Sequence, residues 1–86
     1  MNEERAREIN TSPDVSAFSH EECAEADRWV KDFALRQLDF YLRSNHVPYT
    51  TSQYLKKMAL YTYGSAETDQ FLWKIGAYPH WLLGEI

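Results

Sequence analysis

The chain has 86 residues, a formal net charge of −4 and a hydrophobic content of 44%. This length predicts one domain, and the hydrophobic content excludes the disordered class of proteins. The excess of acids over bases argues against direct nucleic-acid binding, because gripping phosphates requires clustered Lys and Arg.

The single cysteine, Cys23, excludes an internal disulfide and suits a reducing compartment. No apolar run approaches the ~18–20 residues of a membrane span, and the charged N-terminus lacks the apolar stretch of a signal peptide. We therefore expect a cytoplasmic protein that makes no contact with a membrane.

The first part of the chain is charged and has little apolar content. We expect a flexible or frayed arm over residues 1–12, followed by a single helical domain over residues 13–86. Ser12 and Pro13 form a helix-start signal, with Ser as the N-cap and Pro at the first helical position. The segment that they open is short, because a stronger start signal follows.

That stronger signal is a capping box formed by Ser19 and Glu22, which predicts a long helix from about His20 to Arg43. Its apolar side chains cover roughly 240° of the helix circumference, whereas a helix lying on one neighbour needs only about 100°. We therefore expect this helix to be central and covered on two sides.

Two shorter helices are predicted after the long one. The first has its cap candidates in the segment Tyr49-Thr50-Thr51-Ser52, runs from about Thr51 to Tyr63 and is ended by Gly64. The second is capped by Ser65, runs to about Ile75 and is closed by Gly76. Their predicted inner faces are Tyr54, Leu55, Met58, Ala59, Tyr61 and Thr62 in the first and Phe71, Leu72 and Ile75 in the second.

A last helical turn is predicted after Pro79, and no strand-like alternation competes with helix anywhere. The predicted fold is all-α: a small bundle of three main helices around a long central helix, with short terminal helical pieces.

Residues that could carry chemistry are few. His20 and Cys23 share a helix face, but His46 and His80 lie far away in sequence, so the paired spacing of a structural zinc site is missing. Nearby acids oppose activation of the Cys23 thiol as a nucleophile. We therefore expect no catalytic residue, no cofactor and no metal.

A helix-turn-helix over residues 49–76 is another possible interpretation. Its reading helix would carry Glu67 and Asp69 against one base, Lys74, and this composition repels phosphate. The composition therefore argues against a DNA-reading role.

Aromatic residues make up 15% of the chain, a surplus for so small a core. We assign most of them to the core, namely Trp29, Phe33, Phe40, Tyr41, Tyr54, Tyr61 and Phe71. A C-terminal cluster is harder to place, because the inner faces of the helices are already full. We predict that this cluster binds a partner; it consists of Trp73, Tyr78, His80, Trp81, Leu82 and Leu83.

These observations predict a non-enzymatic protein–protein interaction module, a regulator, adaptor or inhibitor that occupies a partner's surface and forms a homodimer. Small phage- or plasmid-borne inhibitors of host systems have a similar composition. An alternative is an acidic nucleic-acid mimic that blocks a DNA- or RNA-binding protein through Glu21, Glu25, Asp32 and Asp39. A third is a small-ligand or metal module built on the aromatic cluster and the histidines.

Overall fold

The computed structural model describes residues 1–83, apart from the side chain of Leu83. Over that range the chain forms five α-helices and a 3-10 turn, with no strand, so the all-α prediction is confirmed. The helices are α1 (Glu3–Asn10), α2 (His20–Ser44), α3 (Tyr49–Tyr61), α4 (Ala66–Lys74) and α5 (His80–Leu83), and the 3-10 turn at Val15–Ala17 lies between α1 and α2.

The long central helix α2 begins where its capping box predicts. The Ser19 hydroxyl accepts a hydrogen bond from the Glu22 amide at 3.1 Å, and the Glu22 carboxylate accepts one from the Ser19 amide at 3.2 Å. Two backbone donors that α2 leaves unpaired at its start are satisfied in this way.

At its other end, α2 closes with a Schellman motif. The Val47 amide donates to the Leu42 carbonyl at 3.0 Å, and the His46 amide donates to the Arg43 carbonyl. His46 takes the left-handed position of the motif with φ 54°, a backbone conformation that is usually occupied by glycine.

The residues that α2 buries recur every four positions, and two of the five are alanines. They are Ala26, Val30, Ala34, Leu38 and Leu42. The alanines allow neighbouring elements to approach closely. Only this stripe of the wide apolar arc is buried, and Phe40 on the far side is 68% exposed.

The N-terminal residues differ from the predicted arm, because they form α1 and pack on the first half of α2. Asn2 caps α1, and Ala6 and Ile9 are buried. The Arg5 guanidinium forms an ion pair with Glu22 and lies 5.1 Å from the centroid of the Phe18 ring. Two buried apolar residues and one ion pair thus hold α1 on α2. So few apolar residues show no clear hydrophobic periodicity, and the sequence therefore did not predict this contact.

Helix α3 packs on the second half of α2 and runs two residues earlier than predicted at both ends. Pro48 is its N-cap, and the Pro48 carbonyl accepts the first intrahelical bond, from the Ser52 amide at 2.9 Å. Ser52 was predicted as a cap candidate but is a buried residue of the helix. No side chain caps this helix start.

Helix α4 follows its prediction closely. The Ser65 hydroxyl accepts a hydrogen bond from the Thr68 amide, and α4 ends in a second Schellman motif, in which the Ala77 amide donates to the Leu72 carbonyl at 2.9 Å. Gly76 provides the left-handed residue with φ 71°. The chain then turns, so that the short helix α5 reaches α1.

Over the described range the molecule measures 44 × 24 × 24 Å and has a radius of gyration of 13.9 Å. A compact domain of this length has a radius of gyration of about 12 Å. The elongation follows from α2, which extends beyond each of the short helices packed against it, and it leaves helix faces without a neighbour.

Candidate protein-interaction surface

Two of the six residues of the C-terminal cluster that was predicted to bind a partner are part of the core. Trp81 is 2% exposed and Tyr78 is 6% exposed. The Trp81 indole N–H donates to the Glu3 carboxylate at 3.2 Å, and the Trp81 and Trp29 ring centroids are 6.1 Å apart. The premise that the core had no room for this cluster is wrong, because Tyr78 and Trp81 belong to the same hydrophobic core as the buried residues of α2, α3 and α4.

Tyr78 is held by a hydrogen bond as well as by packing. Its hydroxyl donates to the Asp69 carboxylate of α4 at 2.6 Å. Burial, and then this hydrogen bond, raise the pKa of Tyr78 well above its ordinary range. The phenol therefore stays neutral and serves as a donor between α4 and the segment before α5.

The rest of the predicted cluster is divided between exposed and packed positions. Trp73 and His80 are exposed, Leu82 is half-buried, and the side chain of Leu83 lies outside the described residues. Trp73 packs edge-to-face on Tyr78 with ring centroids 6.3 Å apart, and 36% of its surface is exposed to solvent. The structure thus brings Trp73 and Tyr78 together but does not assemble all six residues into one exposed patch.

The acidic face lies along the outside of α2, as its spacing predicts. Glu21, Glu25 and Asp32 are exposed, whereas Asp39 is half-buried. Asp39 accepts a hydrogen bond from the Lys56 ammonium of α3 at 2.8 Å and also pairs with Arg43.

These two ion pairs change both the titration and the charge of the acidic face. The hydrogen bond from Lys56, and then the one from Arg43, lower the pKa of Asp39 below its ordinary value of 3.8. Arg36 and Arg43 line the same shallow groove as Asp32 and Asp39. The face is therefore of mixed charge and does not present a continuous row of uncompensated acids.

Three exposed large side chains lie elsewhere, together on the outer side of α3. Tyr54 is 60% exposed, Met58 41% and Tyr61 85%. Their spacing of four and then three residues places them on one helix face, and we call this set the α3 outer stripe. Tyr54, Met58 and Tyr61 were predicted for the inner face, and the structure corrects that prediction.

The packing of α3 explains why its aromatic side faces outward. Ser52 and Ala59 are buried, and Leu55 packs against the core from the same side. Small side chains let α3 approach α2 closely, which two tyrosines in their place would prevent. The signal was present in the sequence as a Ser and an Ala seven residues apart.

Other large apolar side chains are also exposed, which differs from the core assignment made from sequence for Phe40 and Phe71. Besides the α3 outer stripe and Trp73, the exposed ones are Met1, Val15, Phe40, Tyr49, Leu60 and Phe71. Most of them lie on α2, α3 and α4, so the aromatic surplus is on the surface, but at other positions than those predicted.

The residues weighed for metal binding or nucleophilic chemistry are dispersed. His20 and Cys23 line one depression together with Asp27, whereas His46 follows α2 and His80 begins α5. Among residues whose side chains are described, no group of three or more His, Cys, Asp or Glu is arranged to hold a metal ion.

Comparison of the chain with protein-family models, with curated proteins and with solved structures yields no match in any of the three. In the part of the chain that the structure describes, no helix has both the length and the apolar character needed to cross a membrane.

Proposed function

We propose that this chain is a non-enzymatic, cytoplasmic protein–protein interaction module that acts as a regulator, adaptor or inhibitor by occupying a partner's surface. The observation that carries the proposal is the α3 outer stripe, Tyr54, Met58 and Tyr61, exposed side by side on one helix face. Tyrosine and methionine are enriched at protein interfaces, where their apolar surface is covered and the phenol keeps a polar contact.

The spacing of the stripe favours a helix as its counterpart. Side chains at positions i, i+4 and i+7 form the seam by which one helix packs along another. Lys57 is the charged residue beside the stripe, and it is exposed. The seam itself is uncharged, so pairing with a second apolar helix buries no ion.

A second copy of the chain is the occupant that fits this seam best. A two-fold interface is self-complementary, so each residue that it uses must meet an acceptable residue of the same set. In an antiparallel pair of α3 helices, Tyr54 of each copy meets Tyr61 of the other, and Met58 lies close to the axis. The stripe is symmetrical about its own centre, as such pairing requires.

The size of this interface sets the expected affinity. Each tyrosine buries about 150–250 Å², so the four of a dimer contribute roughly 600–1,000 Å². Stable interfaces bury about 1,200–2,000 Å² in total, and weak ones less. Even with the two methionines added, the pair reaches at most about the lower limit of that range, which predicts a weak, reversible dimer.

Light scattering on a sizing column tests the homodimer directly. At micromolar concentration the protein should have about twice the 10.2 kDa mass of the chain. Replacing Tyr54 and Tyr61 together by Ser should give a monomer with unchanged helicity. Tyr49→Ser is the matched control, because Tyr49 is 78% exposed on the same helix but lies about 140° around it from Tyr54. A monomeric wild type, or a Tyr54/Tyr61 variant that still dimerises, contradicts this pairing.

The nucleic-acid mimic remains the alternative, and the mixed charge of the α2 face argues against it. A photo-crosslinker placed at Tyr61 or at Glu25 separates the two hypotheses. Crosslinking from position 61 supports the aromatic contact. Crosslinking only from position 25, to a nucleic-acid-binding protein and with steep salt dependence, supports mimicry instead.

A further inference from the structure

A cleft of about 420 Å³ lies where α1, α2, α4 and α5 converge, apart from the α3 outer stripe. Its polar lining includes two carboxylates from different helices, Asp27 of α2 and Asp69 of α4. Three aromatic rings, Tyr63, Trp73 and Tyr78, line the same space. This combination of acids and ring surfaces around a concavity differs from the solvated acidic face of α2.

The charge of the cleft has one sign. Neither a Lys nor an Arg is among its described lining residues. Asp69 accepts one hydrogen bond from the Tyr78 hydroxyl, and neither Asp69 nor Asp27 takes part in an ion pair with the described side chains. Two carboxylates therefore line the cleft without an ion pair to a described side chain.

The rings supply the second element of a cation site. Trp73 and Tyr78 meet at an interplanar angle of 70°, which gives the cleft two walls in different directions. Ring faces attract ammonium groups through their quadrupole, and the attraction is strongest for Trp. An organic cation can contact both the walls and the carboxylates, whereas a hard metal ion needs more oxygen ligands than the two carboxylates supply.

The molecule itself provides an independent indication of this preference. The ammonium of Lys31 lies 5.4 Å from the centroid of the Tyr63 ring, so one of these rings already attracts a cation. Lys31 is not among the lining residues of the cleft, and the space between Asp27, Asp69 and Trp73 remains open.

We propose that this cleft binds an organic cation of the alkylammonium class, supplied either by a free amine or by a lysine side chain of another protein. The cation lies against Trp73 and Tyr78, and Asp27 and Asp69 balance its charge. The site is separate from the α3 outer stripe, so it does not depend on the function proposed above.

Two-dimensional NMR titration of the full chain tests the site with three probes. Choline is the free cation, 3,3-dimethylbutan-1-ol is its neutral counterpart of the same shape, and N-acetyl-lysine N-methylamide represents a protein side chain. Either cation should shift the Trp73 indole resonance and saturate. The neutral alcohol should bind at least about fivefold more weakly, because it lacks the attraction of the rings and carboxylates for charge.

Two variants locate the effect. Asp69→Asn keeps an acceptor for the Tyr78 hydroxyl but removes a charge, and it should weaken binding of the cation about fivefold or more. Asp32→Asn, on the outside of α2, is the matched control and should leave binding unchanged. Tighter binding of choline identifies a free amine as the source, and tighter binding of the lysine amide identifies a protein side chain. Equal binding of choline and the alcohol, no saturable shift with either cation, or full affinity in Asp69→Asn overturns the proposal.

Discussion

Replacing Trp81 by Ala should unfold a substantial fraction of the molecules in solution. If Trp81 served only to bind a partner, its replacement would not have this effect. The Trp81 ring is 2% exposed and joins α5 to both α1 and α2 through Glu3 and Trp29. Truncation of a buried Trp to Ala lowers the free energy of unfolding by about 3–5 kcal/mol, because apolar burial is lost and an unfilled cavity remains.

That cost is large for this chain. A stability of roughly 0.05–0.15 kcal/mol per residue gives about 4–13 kcal/mol for 86 residues. Trp81→Ala would remove from about a quarter to all of it. The thermal midpoint of an 86-residue domain falls by about 4–8 °C per kcal/mol, so a decrease of about 12 °C or more is expected.

Urea unfolding followed by far-UV circular dichroism measures the change in the free energy of unfolding. Tyr49→Ala is the matched control, because Tyr49 is 78% exposed and lies outside the α3 outer stripe, so its loss should stay within about 0.5 kcal/mol. If Trp81→Ala unfolds at the same urea concentration as the wild type, then α5 does not dock on α1 and α2, and the core described above is incorrect.

Three further predictions follow from the helix ends and from the ion pairs. Ser19→Ala should lower the free energy of unfolding by about 1 kcal/mol, because the capping box loses its acceptor, and Ser16→Ala should lower it clearly less. Equal urea midpoints for these two variants would refute the assignment of Ser19 as the N-cap of α2. His46 and Gly76 occupy the same left-handed position of two Schellman motifs. His46→Gly should therefore raise the free energy of unfolding by about 0.5–1 kcal/mol, and Gly76→Ala should lower it by about 1 kcal/mol. Gly76 has no atom within 4 Å of an added Cβ, so a thermal-melting result of the opposite sign would contradict backbone strain as the cause. The pKa of Asp39 is lower in the folded chain than its ordinary value of 3.8, so its pairs stabilise the fold above about pH 4 and this contribution is lost as the pH falls through the lowered pKa. Asp39→Asn should therefore reduce the acid-induced loss of stability in urea titrations between neutral pH and pH ~3, and an unchanged pH profile would show that the pairs do not form in solution.

Local signals predicted the helices well. The capping box at Ser19 and Glu22, the Ser65 cap and Gly76 each act within one helical turn, so their effect can be read from neighbouring residues. The start of α3 was misplaced because Pro48 begins it without a side-chain cap, and the polar residues after Pro48 offered a more familiar signal.

The choice of which aromatic residues are buried could not be read locally. Trp81 is buried because its indole meets Glu3, which lies 78 positions away in the chain. Trp81 joins the core that α2, α3 and α4 share, and the helix that supplies Glu3, α1, has too little apolar content for periodicity to reveal it. Conversely, Tyr54 and Tyr61 match a helical apolar pattern but lie opposite the small residues that make the contact.

Small residues decide the orientation of α3, and this has a consequence for function. A helix that packs through Ser52 and Ala59 comes close to α2 but buries little side-chain surface, so α3 gains less from its own core than α2 does. It also lacks a side-chain N-cap, which costs a helix about 1 kcal/mol. The α3 outer stripe carries the larger apolar side chains, and covering it would supply the burial that the monomer leaves unused. A partner on this stripe would therefore stabilise α3 itself, because whatever binds only the folded helix shifts its folding equilibrium by mass action.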